Sequence, residues 1–150
     1  MNLERIEHLK NLLIDGENQL FIEIAQNMVV EDLNVTTDHD LTLLKIAVQV
    51  NNREIFEFLI NKGVDIDSQD NYGTTALMFA CGLGNEEFVR ILLERGANTE
   101  LVDNGDGYQV TAMDIARDMR KNGVIKLLEQ NKESPFVLNL ALENKDPGFD

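Results

Sequence analysis

The chain contains few of the residues on which covalent cross-linking, metal binding and nucleophilic catalysis depend. Its 150 residues include one cysteine, two histidines, two prolines and no tryptophan. A single cysteine cannot form an intramolecular disulfide, which fits a reducing compartment. One thiol and two separated imidazoles do not reach the ligand spacing of a zinc site. We therefore expect no metal and no cofactor.

The remaining candidates for chemistry are Cys81 and two acidic segments. Cys81 follows Ala80 on a helix predicted to face inward, and no base is placed to activate its thiol. Residues 65–73 and 103–107 are rich in Asp, Asn and Gly. Their glycine and distal glutamate are not at the offsets of a calcium loop, whereas these residue types are typical of reverse turns. We expect no catalytic residues and a protein that is not an enzyme.

Positive charge is also scarce. Lys and Arg number 13 against 27 Asp and Glu, which gives a net charge of −14. This charge disfavours nucleic acid and anionic membranes as partners. The first ten residues alternate in charge and contain no long apolar run, so they indicate neither a signal peptide nor a membrane span. We expect a cytoplasmic monomer, whose acidity reflects either solubility or a basic protein partner.

What the chain does contain is a repeat of about 33 residues. Shifting the sequence by 33 residues aligns Thr42 with Thr75, Leu44 with Leu77 and Gly63 with Gly96. A shift of 36 aligns the same middle copy with a third, and the three extra residues fall in a predicted turn at 103–105. Each copy reads as a turn, a helix, a second turn and a second helix, a unit too small to bury its apolar faces alone.

The three copies resemble the ankyrin repeat, whose signature is T-P-L-H-x-A. The corresponding segments are T-L-L-K-I-A at 42–47, T-A-L-M-F-A at 75–80 and T-A-M-D-I-A at 111–116. The signature proline and histidine are therefore replaced in every copy. The turn glycine between the helices is kept only at Gly84, with Asn51 and Arg120 in the other copies. The resemblance covers roughly residues 34–130 and implies an all-α ankyrin-repeat solenoid, in which helix-turn-helix units are joined by β-turn or hairpin loops.

The repeats and their flanks predict one domain over residues 1–150. Two helices at 3–14 and 18–28 precede the first copy and are interpreted as a capping repeat. Ser134 and Pro135 begin a further predicted helix, which either caps the stack or docks a partner. The predicted units are the N-terminal cap at 1–33, repeats at 34–66, 67–102 and 103–132, a C-terminal capping helix at 133–145 and a tail at 146–150.

The resemblance further implies that a partner protein is bound on the concave face, by the hairpin tips and the inner helices. Three columns of aligned residues match that face: His39, Tyr72 and Tyr108; Leu41, Thr74 and Val110; and Val50, Leu83 and Met119. Aromatic and apolar side chains of this kind are preferred in interface cores, although the aliphatic ones can equally pack beneath hairpins or between helices. The sequence thus predicts a non-catalytic protein-interaction module. The alternative is a stoichiometric inhibitor or immunity protein that neutralises a basic toxin or nuclease.

Overall fold

The fold consists of short helices stacked in two layers. A computed structural model describes residues 3–37, 41–105 and 107–133. Within these ranges the only β-structure is an isolated bridge between Asp103 and Val110. The helices are α1 (Leu3–Asp15), α2 (Asn18–Ala25), α3 (Val30–Leu33), α4 (Leu43–Gln49), α5 (Arg53–Lys62), α6 (Ala76–Leu83), α7 (Glu86–Glu94), α8 (Ala112–Asp118) and α9 (Asn122–Lys132).

Helices α1, α4, α6 and α8 pack side by side and form an inner layer. The outer layer consists of α2, α5, α7 and α9, and each outer helix also packs against the inner helix that precedes it in the chain. This arrangement confirms the predicted all-α solenoid. The predicted C-terminal capping helix lies outside the described residues.

Threonine or asparagine caps five of the six helices in the three repeats. The inner helices α4, α6 and α8 start after Thr42, Thr75 and Thr111, whose side chains each accept a hydrogen bond from the backbone N–H three residues on. Asn52 and Asn85 cap α5 and α7 in the same way. Each cap pairs one of the N–H groups that a helix start leaves without an intrahelical acceptor. The repeating caps therefore mark where these five helices begin, whereas α9 follows Lys121 and has no side-chain cap.

The predicted turn column is confirmed by the backbone. Asn51, Gly84 and Arg120 all have positive φ, at 56°, 73° and 54°. Each lies between the inner and outer helix of its repeat, where the chain reverses direction. Glycine adopts this conformation without steric strain, asparagine tolerates it, and arginine does so at a free-energy cost.

The N-terminal unit departs from the sequence prediction in one respect. The sequence predicts a second helix that reaches residue 28, but α2 ends at Ala25, and α3 follows as a separate single turn. The side chain of Asn27 donates a hydrogen bond to the carbonyl of Glu23 and so competes with the helical backbone for that acceptor. Val29 then takes an extended conformation, which separates the two helices.

A continuous apolar core runs through all the repeats. Leu44, Leu77 and Met113 are buried, as their alignment predicts. In the outer layer the rings of Phe56 and Phe88, from neighbouring repeats, stack with centroids 4.4 Å apart. Stacking of aromatic rings adds to the free energy that the buried area itself provides. The core therefore extends across the repeat boundaries.

Truncation of a core side chain tests this packing. We expect Leu77→Ala to lower the free energy of unfolding by about 2–5 kcal/mol, because Leu77 is 1% exposed and its removal leaves a cavity. The matched control is Leu83→Ala on the same helix, where the leucine is 53% exposed and the expected change is within about 0.5 kcal/mol. Urea denaturation measures both, and equal losses would contradict the assigned burial.

Two glycines near the end of α6 should respond to alanine with opposite signs. Gly84 has φ 73°, and an added Cβ would lie 2.8 Å from the Cδ of Lys121, so Gly84→Ala should destabilise by about 1–2 kcal/mol. Gly82 is helical, and its added Cβ would meet only an ordinary contact, 3.5 Å from Ile115 Cγ2. Gly82→Ala should therefore stabilise by about 0.5–1 kcal/mol. Thermal unfolding midpoints that shift in the same direction would refute this assignment.

Candidate functional site

Two tyrosines stand at the tips of the hairpins between repeats. The side chain of Tyr72 is 63% exposed and that of Tyr108 is 76% exposed, which confirms the exposure predicted for both. The backbone carbonyl of Tyr72 accepts a 2.7 Å hydrogen bond from the N–H of Asn104 in the next hairpin. The backbone that carries Tyr72 is therefore held while its ring faces solvent. His39, predicted to continue this row, lies outside the described residues.

A buried ion pair holds the hairpin that carries Tyr72. Lys45 lies in the first repeat at the position of the signature histidine, and its side chain is 1% exposed. Its Nζ lies 3.1 Å from Oδ2 of Asp70 and donates a 2.9 Å hydrogen bond to the carbonyl of Thr74. The other oxygen of Asp70, Oδ1, accepts hydrogen bonds from the backbone N–H groups of Tyr72 and Thr74. One carboxylate thus shapes the hairpin and anchors it to the preceding repeat.

The same position is used differently in the other repeats. Met78 is simply buried at the second signature-histidine position. Asp114, at the third, closes a reciprocal pair of hydrogen bonds with Thr111 at the start of α8. The backbone N–H and the hydroxyl of Thr111 lower the pKa of the Asp114 carboxyl, because both donate to its charged form. Sequence alignment identifies this position but not what each residue does there.

A row of aliphatic side chains lies at the far ends of the inner helices. Val50, Leu83 and Met119 each come just before the left-handed residue of their repeat, and all three are exposed. Together with Tyr72 and Tyr108 they form the candidate face. The exposed Ile14, near the end of α1, lines the same cavity as Val50 and was not singled out from the sequence. Its place at the end of the first inner helix is the signal that could have identified it.

The predicted column of Leu41, Thr74 and Val110 is built into the hairpins. Leu41, Thr74 and Val110 are each half-buried. The hydroxyl of Thr74 donates a 2.7 Å hydrogen bond to Asp103, and the backbone of Val110 pairs with the same residue in both directions. These three side chains support the tips as well as border the surface.

Two cavities connect hairpins to inner-helix ends. One, of about 700 Å³, is lined by Tyr108 and Val110 on the hairpin side and by Met119 at the end of α8. The other, of about 400 Å³, is lined by Leu41 before α4 and by Val50 at its end. In the first and in the third repeat, residues predicted from separate columns therefore line the same cavity. Tyr72 and Leu83 belong to the repeat between these two.

Cys81 is buried in α6. Desolvation raises the pKa of its thiol to about 12, so the thiolate required of a nucleophile is scarce at neutral pH. Across the described ranges, no three His, Cys, Asp or Glu side chains form a group suited to a metal ion. None of the helices in those ranges has the length and apolar content for crossing a lipid bilayer.

The two-layered stack of helical pairs, joined by hairpins with exposed tips, defines a helical repeat solenoid. A family model of ankyrin repeats, comprising three copies, matches residues 6–103 and 44–139. The chain belongs to the ankyrin repeat family. Ankyrin repeats generally mediate protein–protein interaction, and the family is typically non-catalytic.

Curated relatives match about half of this chain. Three are proteins named "Ankyrin repeat, SAM and basic leucine zipper domain-containing protein 1". The Bos taurus protein is 33% identical over 85 residues, covering 57% of this chain and 18% of the relative. The Homo sapiens protein is 35% identical over 68 residues, covering 45% and 14%. The Echinops telfairi protein is 37% identical over 70 residues, covering 47% and 15%. The chain thus spans less than a fifth of the length of each.

The ion pair between Lys45 and Asp70 can be tested by a double-mutant cycle. Lys45→Met introduces the side chain that the next repeat carries at this position, as Met78. It leaves the Asp70 carboxylate without this cation, and we expect a loss of about 3–5 kcal/mol in unfolding free energy. Asp70→Asn keeps an acceptor for the two hairpin amides. The double variant should be more stable than the sum of the single changes predicts, by about 1–3 kcal/mol. Strict additivity in urea denaturation would show that the two side chains are not coupled.

Proposed function

We propose that the protein is a non-catalytic interaction module that binds a partner protein through the concave side of the solenoid, using the candidate face. The observation that carries this proposal is the exposure of two tyrosines and three aliphatic side chains, with hairpin and helix-end residues lining common cavities. Tyrosine offers a large rigid ring and a hydroxyl and loses little entropy on docking. His39, Leu41, Thr74 and Val110 would border the same interface.

This face is supported by a contrast between buried and exposed apolar side chains on the inner helices. Most of the apolar side chains of the inner helices are buried, whereas Val50, Leu83 and Met119 remain exposed at successive repeats. Inner helices pack about 8–10 Å apart, so the three side chains would offer regularly spaced contacts to an extended or helical partner segment. Exposed apolar side chains in a continuous row are typical of interaction surfaces.

The net charge of −14 favours a basic partner. It is also the observation behind a second candidate function, the neutralisation of a basic toxin or nuclease in the cytoplasm. The two functions differ in which interactions dominate. An interaction module of the proposed kind depends mainly on desolvated aromatic anchors, whereas an electrostatic inhibitor depends on long-range attraction that salt screens.

The face can be mapped by photo-crosslinking followed by mutagenesis. A benzophenone side chain introduced at position 72 or 108 should crosslink to the partner, and one at position 20, on the outer helix α2, should not. With that partner in hand, Tyr72→Ala and Tyr108→Ala together should weaken binding by roughly 2–4 kcal/mol, because both anchors lose their buried area. Isothermal titration calorimetry measures the affinity, and circular dichroism checks that helicity is retained.

The matched control replaces two exposed apolar side chains away from the candidate face, Leu20→Ala and Val29→Ala, and should leave affinity unchanged. If the partner binds the double tyrosine variant as tightly as the unaltered protein, the proposed face is wrong. If affinity instead falls steeply with added salt and depends little on the tyrosines, the electrostatic inhibitor is the better description.

A further inference from the structure

The cavity in the third repeat has an apolar wall and an aromatic edge. Val110, Ile115 and Met119 supply the aliphatic wall, and Tyr108 stands beside it with its ring exposed. At about 700 Å³ the cavity exceeds the volume of any single side chain, and it is open to solvent. It can therefore receive a long side chain from a partner along an apolar surface.

Charged side chains complete the lining of this cavity: Asp114, Arg117 and Asp118. One oxygen of Asp114, Oδ2, accepts hydrogen bonds from the backbone N–H and the hydroxyl of Thr111, at 3.0 and 2.8 Å. Arg117 follows Asp114 by three residues on the same helix and partly offsets its charge. Asp118 is exposed, and among the residues described it has neither a hydrogen-bond nor an ion-pair partner. Of the two carboxylates in the lining, Asp118 is thus the one that is not already used to begin the helix.

Asp118 does not benefit the helix that carries it. It is the last residue of α8, where the backbone carbonyls concentrate partial negative charge, and a carboxylate at this end of a helix is unfavourable. Its negative charge therefore favours a cation in the adjacent cavity and opposes the stability of its own helix.

We propose that this cavity receives one Lys or Arg side chain of the partner protein. The methylene stem would pack on Val110, Ile115 and Met119, and the cationic group would lie between the Tyr108 ring and the Asp118 carboxylate. A long cationic side chain has this division between an apolar stem and a charged end, and tyrosine rings attract cations at their faces. The inference rests on the proposed function, because it takes the cation to come from a protein partner.

The cavity beside α1 provides an internal comparison. Its wall is also aliphatic, with Ile14, Leu41 and Val50, but its charged lining residue is Lys10, and no carboxylate of the described ranges lines it. An apolar compound should enter either cavity, whereas a cationic compound should prefer the one with Asp118. The preference for charge thus separates the proposed site from general apolar binding.

Small probes test the site without knowledge of the partner. The probes are n-pentylammonium and n-butylguanidinium, which separate Lys-like from Arg-like binding, with n-pentanol as the uncharged control. Methyl-labelled Met and Ile residues report binding by NMR. We expect saturable shifts at Met119 and Ile115, and affinity for at least one cation about fivefold above that for pentanol.

Matched variants test whether the Asp118 carboxylate attracts the cationic probes. Asp118→Asn should weaken cation binding about fivefold, leave pentanol binding unchanged and keep or slightly raise the thermal midpoint. Asp15→Asn, the same chemical change at the exposed end of α1, should have no effect. Tyr108→Leu should weaken the cations more than pentanol. Equal affinity for cations and pentanol, or equal effects of the two Asp→Asn variants, would overturn the inference. So would cation-induced shifts at Ile14 as large as those at Ile115.

These results are separable from the partner-binding experiment. If the tyrosine pair is required for the partner while the probes do not bind at Met119, the proposed function stands and the cation site is refuted. If the probes bind through Asp118 but substitution of both tyrosines leaves partner affinity unchanged, the proposed function fails. The assignment of the cation to that partner then fails as well.

Discussion

The structure depends on stacking between neighbouring repeats, because the inner helices of the three repeats are too short to be stable by themselves. Helices α4 and α8 have only seven residues each, well below the length at which isolated helices form in water. Their stability comes from apolar faces buried against the next unit. The contacts that matter most, such as the stack of Phe56 on Phe88, therefore join residues about one repeat apart.

Polar contacts also join residues in neighbouring repeats. The side-chain amide of Asn52 donates to Asn18, and that of Asn85 donates to Asn51, at 2.6 and 2.9 Å. The ion pair from Lys45 to Asp70 likewise joins one repeat to the next, at the hairpin end. Such contacts fix the register of one repeat on the next, and the ion pair also holds the backbone of the hairpin that carries the first tyrosine. If this hairpin binds a partner as proposed, its backbone would lose little conformational entropy on binding, because it is already held.

The sequence predicts the fold well because the fold is periodic. Thr42, Thr75 and Thr111 recur with their helices, and the left-handed turns are found where the alignment places them, even with Arg120 in the glycine position. Of the candidate site, the exposure of the tyrosines followed from their place on turns. The burial of Lys45 could not be predicted, since lysine ordinarily faces solvent and its partner lies in another repeat. Ile14 was missed because the N-terminal unit lacks the turn pattern that sets the alignment.

Charge and exposed apolar surface have to be considered together in this protein. A row containing Tyr72, Leu83, Tyr108 and Met119 would favour association between copies through apolar contact. The net charge of −14 opposes that association, because two copies approaching each other carry the same sign. A neutral or basic partner meets no such repulsion. If the candidate face binds a protein as proposed, the same acidity would oppose association between copies and favour a different protein on that surface.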